Sequence, residues 1–104
     1  MKIQFLKSLF DIPYDEWAGG EKNFAALPEH RGKAARVDDG KGGRTIMLIL
    51  PCGHVAALYT WTITDLDTDT PSAQPSIFCR HSDDPNVKLG NCWHGYLTKG
   101  ELIG

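Results

Sequence analysis

The chain has 104 residues, which is enough for one domain with a modest core, and its 41% of hydrophobic residues exclude a disordered chain. Its formal net charge of −2 excludes an overall basic field that would attract nucleic acid. Three cysteines, an odd number, fit poorly with a disulfide framework, and the N-terminus shows no signal-peptide pattern. We therefore expect a single cytoplasmic domain over residues 1–104, without a membrane-spanning segment.

Residues 1–45 are predicted to form a variable N-terminal part. Apolar residues within 3–10 follow a pattern that starts as a strand and turns helical. The turn-rich segment 38–43 lies between two strand-like stretches, 34–37 and 44–50, which predicts a hairpin loop or a flexible connection. The second stretch is almost continuously apolar, as is typical of a strand buried on both faces.

Residues 46–104 are predicted to form a β part that carries the metal ligands. Side chains alternate in character from Val55 to Thr64, which predicts one continuous strand. Two loops with acidic residues, 65–75 and 81–91, follow it, and two apolar arms around Lys99-Gly100 predict a terminal hairpin. The predicted fold class is therefore mainly β, an antiparallel sheet with a terminal hairpin, with a small α+β arrangement as the alternative.

Two C-x-H triplets point to a metal site. Cys52-Gly53-His54 and Cys92-Trp93-His94 each place a thiol and an imidazole two residues apart. Residues two apart in an extended segment face the same side, and Gly53 would let a tight turn bring both donors together. Cys52, His54, Cys92 and His94 make the Cys₂His₂ set of a tetrahedral zinc ion. Each triplet lies at the mouth of a predicted strand, so the zinc is expected to pin strand ends.

A third triplet, Cys79-Arg80-His81, repeats the spacing. Cys79 is therefore an alternative ligand, which would replace one histidine and give a Cys₃His site. His81 is predicted to be a loop histidine. His30, which stands between Glu29 and Arg31, is predicted to lie on the surface.

The zinc is predicted to be structural. A catalytic zinc keeps one open coordination position and needs a general acid or base beside it. The chain contains neither the H-E-x-x-H motif nor the paired H-x-E and P-C-x-x-C motifs of zinc deaminases. No catalytic residue is therefore assigned, and a small zinc hydrolase is kept as an alternative.

The second half also carries a family resemblance. Its elements, in order, are Pro51-Cys52-Gly53-His54, Trp61, Pro75-Ser76-Ile77 and the run from Cys92 to Ile103. In this order the chain resembles, over about residues 46–103, a family of small Cys/His-rich proteins encoded by phages and prophages, whose function is unknown. The resemblance implies a phage accessory protein whose metal ligands are Cys52, His54, Cys92 and His94. Small phage accessory proteins often bind a host protein, such as a CRISPR effector or a restriction enzyme.

Three functions follow as hypotheses. The first is a zinc-stabilised module that binds and modulates a host or phage protein, for example as an anti-CRISPR inhibitor. Its predicted partner-binding residues are Trp17, Asp65, Asp67, Asp69, Asp83 and Asp84. The second is a nucleic-acid-binding zinc domain that uses the basic residues around the glycine turn, which are Lys33, Arg36, Lys41 and Arg44. The third is the zinc hydrolase.

Overall fold

A computed structural model of the chain describes residues 1–13, 16, 26–78 and 93–104, and within them eight β-strands form two four-stranded sheets. The strands are β1 (Gln4–Phe5), β2 (Lys33–Asp38), β3 (Arg44–Ile49), β4 (Val55–Ala57), β5 (Thr62–Thr64), β6 (Ser72–Phe78), β7 (His94–Thr98) and β8 (Glu101–Ile103). Among the described residues between β1 and β2, Leu9–Asp11 and Pro28–His30 each form a short 3₁₀ helix. The prediction of a mainly β fold is confirmed.

The strands pair antiparallel except at one edge. The first sheet has the order β1-β2-β3-β4, and within it only β1 runs parallel to its neighbour. The second sheet has the order β5-β6-β7-β8 and is antiparallel throughout. The two predicted hairpins are present as β2–β3 and β7–β8. In the second hairpin, Lys99 and Gly100 have φ angles of 48° and 79°, and two positive φ angles are what a tight two-residue hairpin turn requires.

The main hydrophobic core lies between the two sheets. Ile46 and Leu48 of β3 are fully buried, and they share this core with Ile77 of β6 and Leu97 of β7. Complete burial of side chains of this size stabilises a fold by about 1.5–3 kcal/mol each. The other buried members are Ile3, Ala34, Leu50, Leu58, Ala73 and Leu102.

A second, smaller core covers the opposite face of the first sheet. Its buried members are Leu9, Ile12, Ala26, Ala35 and Ile49. Ile49 directly follows Leu48 in β3, and successive side chains of a strand point to opposite faces. Because a core covers each face, β3 is buried on both sides, as its continuous apolar run predicted.

Residues 1–3 connect the two sheets along one side. Met1 exchanges two hydrogen bonds with the main chain of Leu102 in β8, at 3.0 and 2.7 Å, and the Ile3 N–H donates to the Gly100 carbonyl at 2.9 Å. The chain then continues directly into β1, which pairs with β2 of the other sheet. The open edge of β8 is thereby covered, and main-chain hydrogen bonds add to the core in holding the sheets together.

The prediction of one continuous strand from Val55 to Thr64 is wrong. β4 belongs to the first sheet and β5 to the second, and the residues between them form a turn. Leu58 is buried in the inter-sheet core, and its carbonyl accepts hydrogen bonds from the Thr45 hydroxyl at 2.6 Å and from the Trp61 N–H at 3.4 Å. Because each half presents one face to the core, the alternation alone does not reveal the change of sheet.

Two aspartates shape the turn between β2 and β3. Asp38 Oδ1 accepts from the Gly40 N–H at 2.7 Å, and Asp39 Oδ1 accepts from the N–H groups of Lys41 and Gly43 at 2.7 and 3.0 Å. The hydrogen bonds from Lys41 and then Gly43 lower the pKa of the Asp39 carboxyl group below its ordinary value. The ionised form of this carboxylate therefore stabilises the turn.

Candidate metal centre

The first predicted pair of ligands lies in the turn between β3 and β4. Gly53 has a φ angle of 92°, which L side chains rarely adopt, and its N–H donates to the Leu50 carbonyl at 2.8 Å. The N–H of Leu50 donates in turn to the His54 carbonyl at 2.8 Å. In this tight turn Cys52 Sγ lies 3.3 Å from His54 Nδ1, so the two donor atoms lie side by side.

The geometry of this pair is compatible with two corners of a tetrahedral zinc site. Zinc–sulfur and zinc–nitrogen bonds of about 2.3 and 2.0 Å place adjacent ligand atoms of a tetrahedron about 3.5 Å apart. The separation of 3.3 Å between Cys52 Sγ and His54 Nδ1 is close to this value, and it also permits a direct hydrogen bond. Both residues are half-buried, and Cys52 packs against the inter-sheet core. A thiolate and an imidazole are donors that zinc prefers, so the pair fits the metal chemically.

The histidine of the second triplet is not brought to this pair. His94 lies on the exposed face of β7, and its Nε2 is 3.1 Å from the Ser76 hydroxyl oxygen. The neighbouring Trp93 packs against the inter-sheet core, as Cys52 does. Across the described parts of the chain, Cys52, His54 and His94 do not form a group whose three donor atoms lie within 4.8 Å of one another.

The remaining predicted and alternative ligands, Cys79 and Cys92, lie outside the described residues, as does His81. Phe78 at the end of β6 pairs with His94 at the start of β7. The segment that contains both cysteines therefore leaves and rejoins the described fold at the same end of the second sheet.

A different group of donor atoms lies beside the 3₁₀ helix Pro28–His30. His30 Nε2 is 3.1 Å from Glu16 Oε1 and 3.7 Å from Glu29 Oε1, and the three side chains could hold a metal ion. This group contains no cysteine. The prediction that His30 lies on the surface is wrong, since it is only 8% exposed. It is buried because charged partners satisfy its ring nitrogens.

Lys33 determines how the His30 ring is protonated. The Lys33 ammonium group lies 2.8 Å from His30 Nδ1, and an ammonium group only donates hydrogen bonds. Nδ1 is therefore the acceptor, and Nε2 carries the proton that it donates to Glu16. A metal ion on Nε2 would have to displace this proton and break the contact with Lys33. The Cys52–His54 pair is therefore the stronger candidate for zinc.

Three of the predicted partner-binding residues, Asp65, Asp67 and Asp69, are exposed in the loop between β5 and β6. Asp67 forms an ion pair with Arg44, whereas Asp65 and Asp69 have no ion pair with any residue that the structure describes. Asp65 has a φ angle of 56°, and its carbonyl accepts from both the N–H and the hydroxyl of Thr68. Trp17, Asp83 and Asp84 lie outside the described residues.

Arg36 anchors the same loop to the first sheet. Its guanidinium group donates to the Leu66 carbonyl at 2.7 Å and to the Thr68 carbonyl at 2.8 Å. The same group lies 3.8 Å from the centre of the Phe5 ring, in a cation–π arrangement. One side chain of β2 therefore fixes both β1 and the acidic loop.

The basic residues of the nucleic-acid hypothesis are mostly used inside the protein. Arg36 is bound to the acidic loop, Arg44 is paired with Asp67, and Lys33 is bound to His30. Lys41, in the exposed turn between β2 and β3, is the fourth. Three of the four basic side chains therefore already have partners within the protein, although the Arg44 side chain stays 52% exposed.

No protein-family model matches the chain, and neither a curated protein nor a solved structure matches it. Among the residues that the structure describes, no helix is both long enough and apolar enough to cross a membrane.

Proposed function

We propose that the chain is a small binding module, stabilised by one zinc ion, that acts as a phage accessory protein by binding and modulating a host protein. The proposed zinc ligands are Cys52, His54, Cys92 and His94, with Cys79 as the substitute for one histidine. The observation that supports the zinc site is the distance of 3.3 Å between Cys52 Sγ and His54 Nδ1. A thiol and an imidazole already placed side by side supply half of a four-coordinate site.

The zinc would tie the two sheets together. The Cys52–His54 pair follows β3 of the first sheet, while the segment with Cys79 and Cys92 joins β6 to β7 of the second. In the Cys₃His version, His94 keeps its contact with Ser76 and β7 needs no rearrangement. Because ligands are brought together only in the folded chain, metal binding adds directly to folding stability.

Metal analysis by mass spectrometry, on protein purified without added zinc, tests this site. We expect one zinc per chain and a lower melting temperature in the presence of a chelator. Cys52→Ser and Cys92→Ser should each lose the metal, whereas the control His30→Gln should keep it. His94→Gln and Cys79→Ser then identify the fourth ligand. A metal-free protein that is insensitive to chelator would overturn the zinc site, and metal loss confined to His30→Gln would assign it to the other donor group.

The loop between β5 and β6 is the proposed partner-binding surface, together with Trp17, Asp83 and Asp84. Arg36 holds the loop in one conformation, so binding would not have to order it. Asp65 and Asp69 are exposed and suit a basic surface on the partner. The proposed partner is therefore a host protein with a basic binding surface.

Capture of a partner from host lysate by the tagged protein tests this surface. Asp65→Asn and Asp69→Asn should weaken capture, and added salt should do the same. Asparagine tolerates the left-handed conformation of residue 65, so the loop is expected to keep its shape. Glu101→Gln removes an exposed carboxylate from β8 and is the matched control. Equal capture by all three variants would place the binding surface elsewhere.

Nucleic-acid binding and zinc hydrolysis have less support. Three of the four basic residues of the nucleic-acid hypothesis form contacts with other residues of the protein, so we expect no DNA or RNA binding at low salt. Steeply salt-dependent binding of DNA or RNA would favour the nucleic-acid hypothesis over the protein-binding module. A hydrolase would be supported by an activity that Cys52→Ala abolishes without unfolding the protein.

A further inference from the structure

An irregularity in the second sheet creates a depression on its outer face. Ala73 of β6 pairs with Leu97 of β7, and Ile77 pairs with Gly95, so β6 uses four residue steps where β7 uses two. The additional residues of β6 form a bulge beside Tyr96. The depression has a volume of about 400 Å³ and is bordered by this bulge and Tyr96.

The bulge is fixed in place by a tryptophan of the neighbouring strand end. The indole N–H of Trp61 lies 3.0 Å from the Pro75 carbonyl and 3.3 Å from the Ser76 carbonyl, and it donates to both. The main chain on the β6 side of the depression is therefore held in place by hydrogen bonds. Most sites for small ligands are preformed in this way.

The chemistry of the depression is uncharged and amphipathic. Tyr96 is 54% exposed and presents an aromatic surface, and Pro75 adds an apolar border. The Gln74 amide and the hydroxyls of Tyr96 and Thr98 make no hydrogen bond to the described residues. None of the residues that line the depression carries a charge.

We propose that this depression binds one unit of a neutral saccharide. A pyranose ring has an apolar C–H face, which stacks on an aromatic ring, and hydroxyls that both donate and accept. Tyr96 supplies the aromatic ring, and Gln74 and Thr98 supply an amide and a hydroxyl with free hydrogen-bonding capacity. A nucleotide would stack equally well, but no cation lines the depression to meet its phosphate. The residues that line this depression include none of the proposed zinc ligands and none of the aspartates of the acidic loop.

Nitrogen–proton correlation spectra of the full chain, recorded with added oligosaccharides, test the site. The neutral probes are oligomers of glucose, xylose, mannose, galactose and N-acetylglucosamine, each at concentrations up to about 10 mM. A sialylated glycan and adenosine monophosphate serve as the charged probes. We expect at least one neutral oligomer to shift the amide signals of Gln74, Tyr96 and Thr98 in a saturable way. A panel without any such shift would overturn the proposal, as would binding of adenosine monophosphate or the sialylated glycan alone.

Matched variants connect the binding to the tyrosine ring. Tyr96→Ala should lower the affinity for the saccharide by about tenfold or more, while Tyr96→Phe should retain most of the affinity because the stacking ring is kept. Tyr59→Ala is the control, since Tyr59 is 49% exposed and lies in the turn between β4 and β5. Equal affinity of Tyr96→Ala and Tyr59→Ala, in proteins with native-like spectra, would contradict the assignment. Retained binding after chelation would separate this site from the zinc site.

Discussion

Arg36→Ala is expected to be the most destabilising substitution of an arginine or lysine described in the structure. The guanidinium group touches three separate parts of the chain, which are the Phe5 ring and the carbonyls of Leu66 and Thr68. Removing it breaks the connection between β2 and the acidic loop and uncovers one face of the Phe5 ring. No neighbouring described cation replaces it, because Arg44 is already paired with Asp67.

The expected decrease in the free energy of unfolding follows from these three contacts. A hydrogen bond from a charged donor contributes about 1.5–3 kcal/mol, and the partly buried bond to Leu66 belongs at the lower end of that range. The exposed bond to Thr68 contributes less, about 0.5–1 kcal/mol, and the contact with Phe5 a similar amount. The free energy of unfolding should therefore fall by about 3 kcal/mol. In a domain of this size that lowers the melting temperature by roughly 10–20 °C.

Urea denaturation followed by tryptophan fluorescence measures this change, with the slope of the transition checked for two-state behaviour. Arg36→Lys keeps the charge but not the fork of donors, so it should lose about half as much as Arg36→Ala. Lys41→Ala, in the exposed turn between β2 and β3, should change the free energy of unfolding by less than about 0.5 kcal/mol. Equal urea midpoints of Arg36→Ala and Lys41→Ala would show that the Arg36 contacts do not stabilise the fold.

Three further substitutions test other parts of the fold. Gly95→Ala should prevent folding or strongly lower the melting temperature, because its new methyl group would overlap the carbonyl oxygen of Ile103; an unchanged melting temperature would contradict this close approach. Leu48→Ala should lower the free energy of unfolding, measured by urea denaturation, by about 2–5 kcal/mol, because it opens a cavity between the sheets. A decrease no greater than that of Ile103→Ala, at a half-exposed position, would contradict this expectation. Because the pKa of Asp39 is lowered in the folded state, its stabilising effect is present above about pH 4 and is lost as the pH falls through the folded-state value. Asp39→Asn should therefore reduce the acid-side fall in melting temperature, and identical pH profiles for the two proteins would refute this.

The parts of the fold that the sequence predicts are those with local causes. The aspartates and glycines of the Asp38-to-Gly43 turn, and Gly100 in the second turn, are residues that those backbone conformations favour, so both hairpins are recognisable from residues close in sequence. The division of Val55–Thr64 into two strands depends instead on Leu58, which is buried between the sheets and bonded to Thr45 thirteen residues away. A contact with a residue at that distance does not change the alternation of side chains along the sequence.

The positions of the candidate metal ligands also divide into those with local causes and those that depend on distant residues or on the pairing of strands. The Cys52–His54 pair depends on one glycine turn and is readable from three residues. The outward position of His94 depends on the alternation along β7, which the sequence obscures because the exposed Tyr96 has an apolar ring. The burial of His30 depends on Glu16, fourteen residues earlier, so only the nearby Lys33 offered a signal in the sequence.

The described contacts also indicate what a zinc ion would add. On one side, residues 1–3 already connect the two sheets through main-chain hydrogen bonds to β8 and then through β1. Arg36 adds a connection from β2 to the loop between β5 and β6. The turn at Cys52 has no comparable main-chain bond to the second sheet among the described residues, although its thiol reaches the shared core. A zinc ion bound at Cys52 would add a connection between the two sheets at this turn. Its removal should therefore loosen the sheets near Cys52 first, while β8 stays attached to residues 1–3.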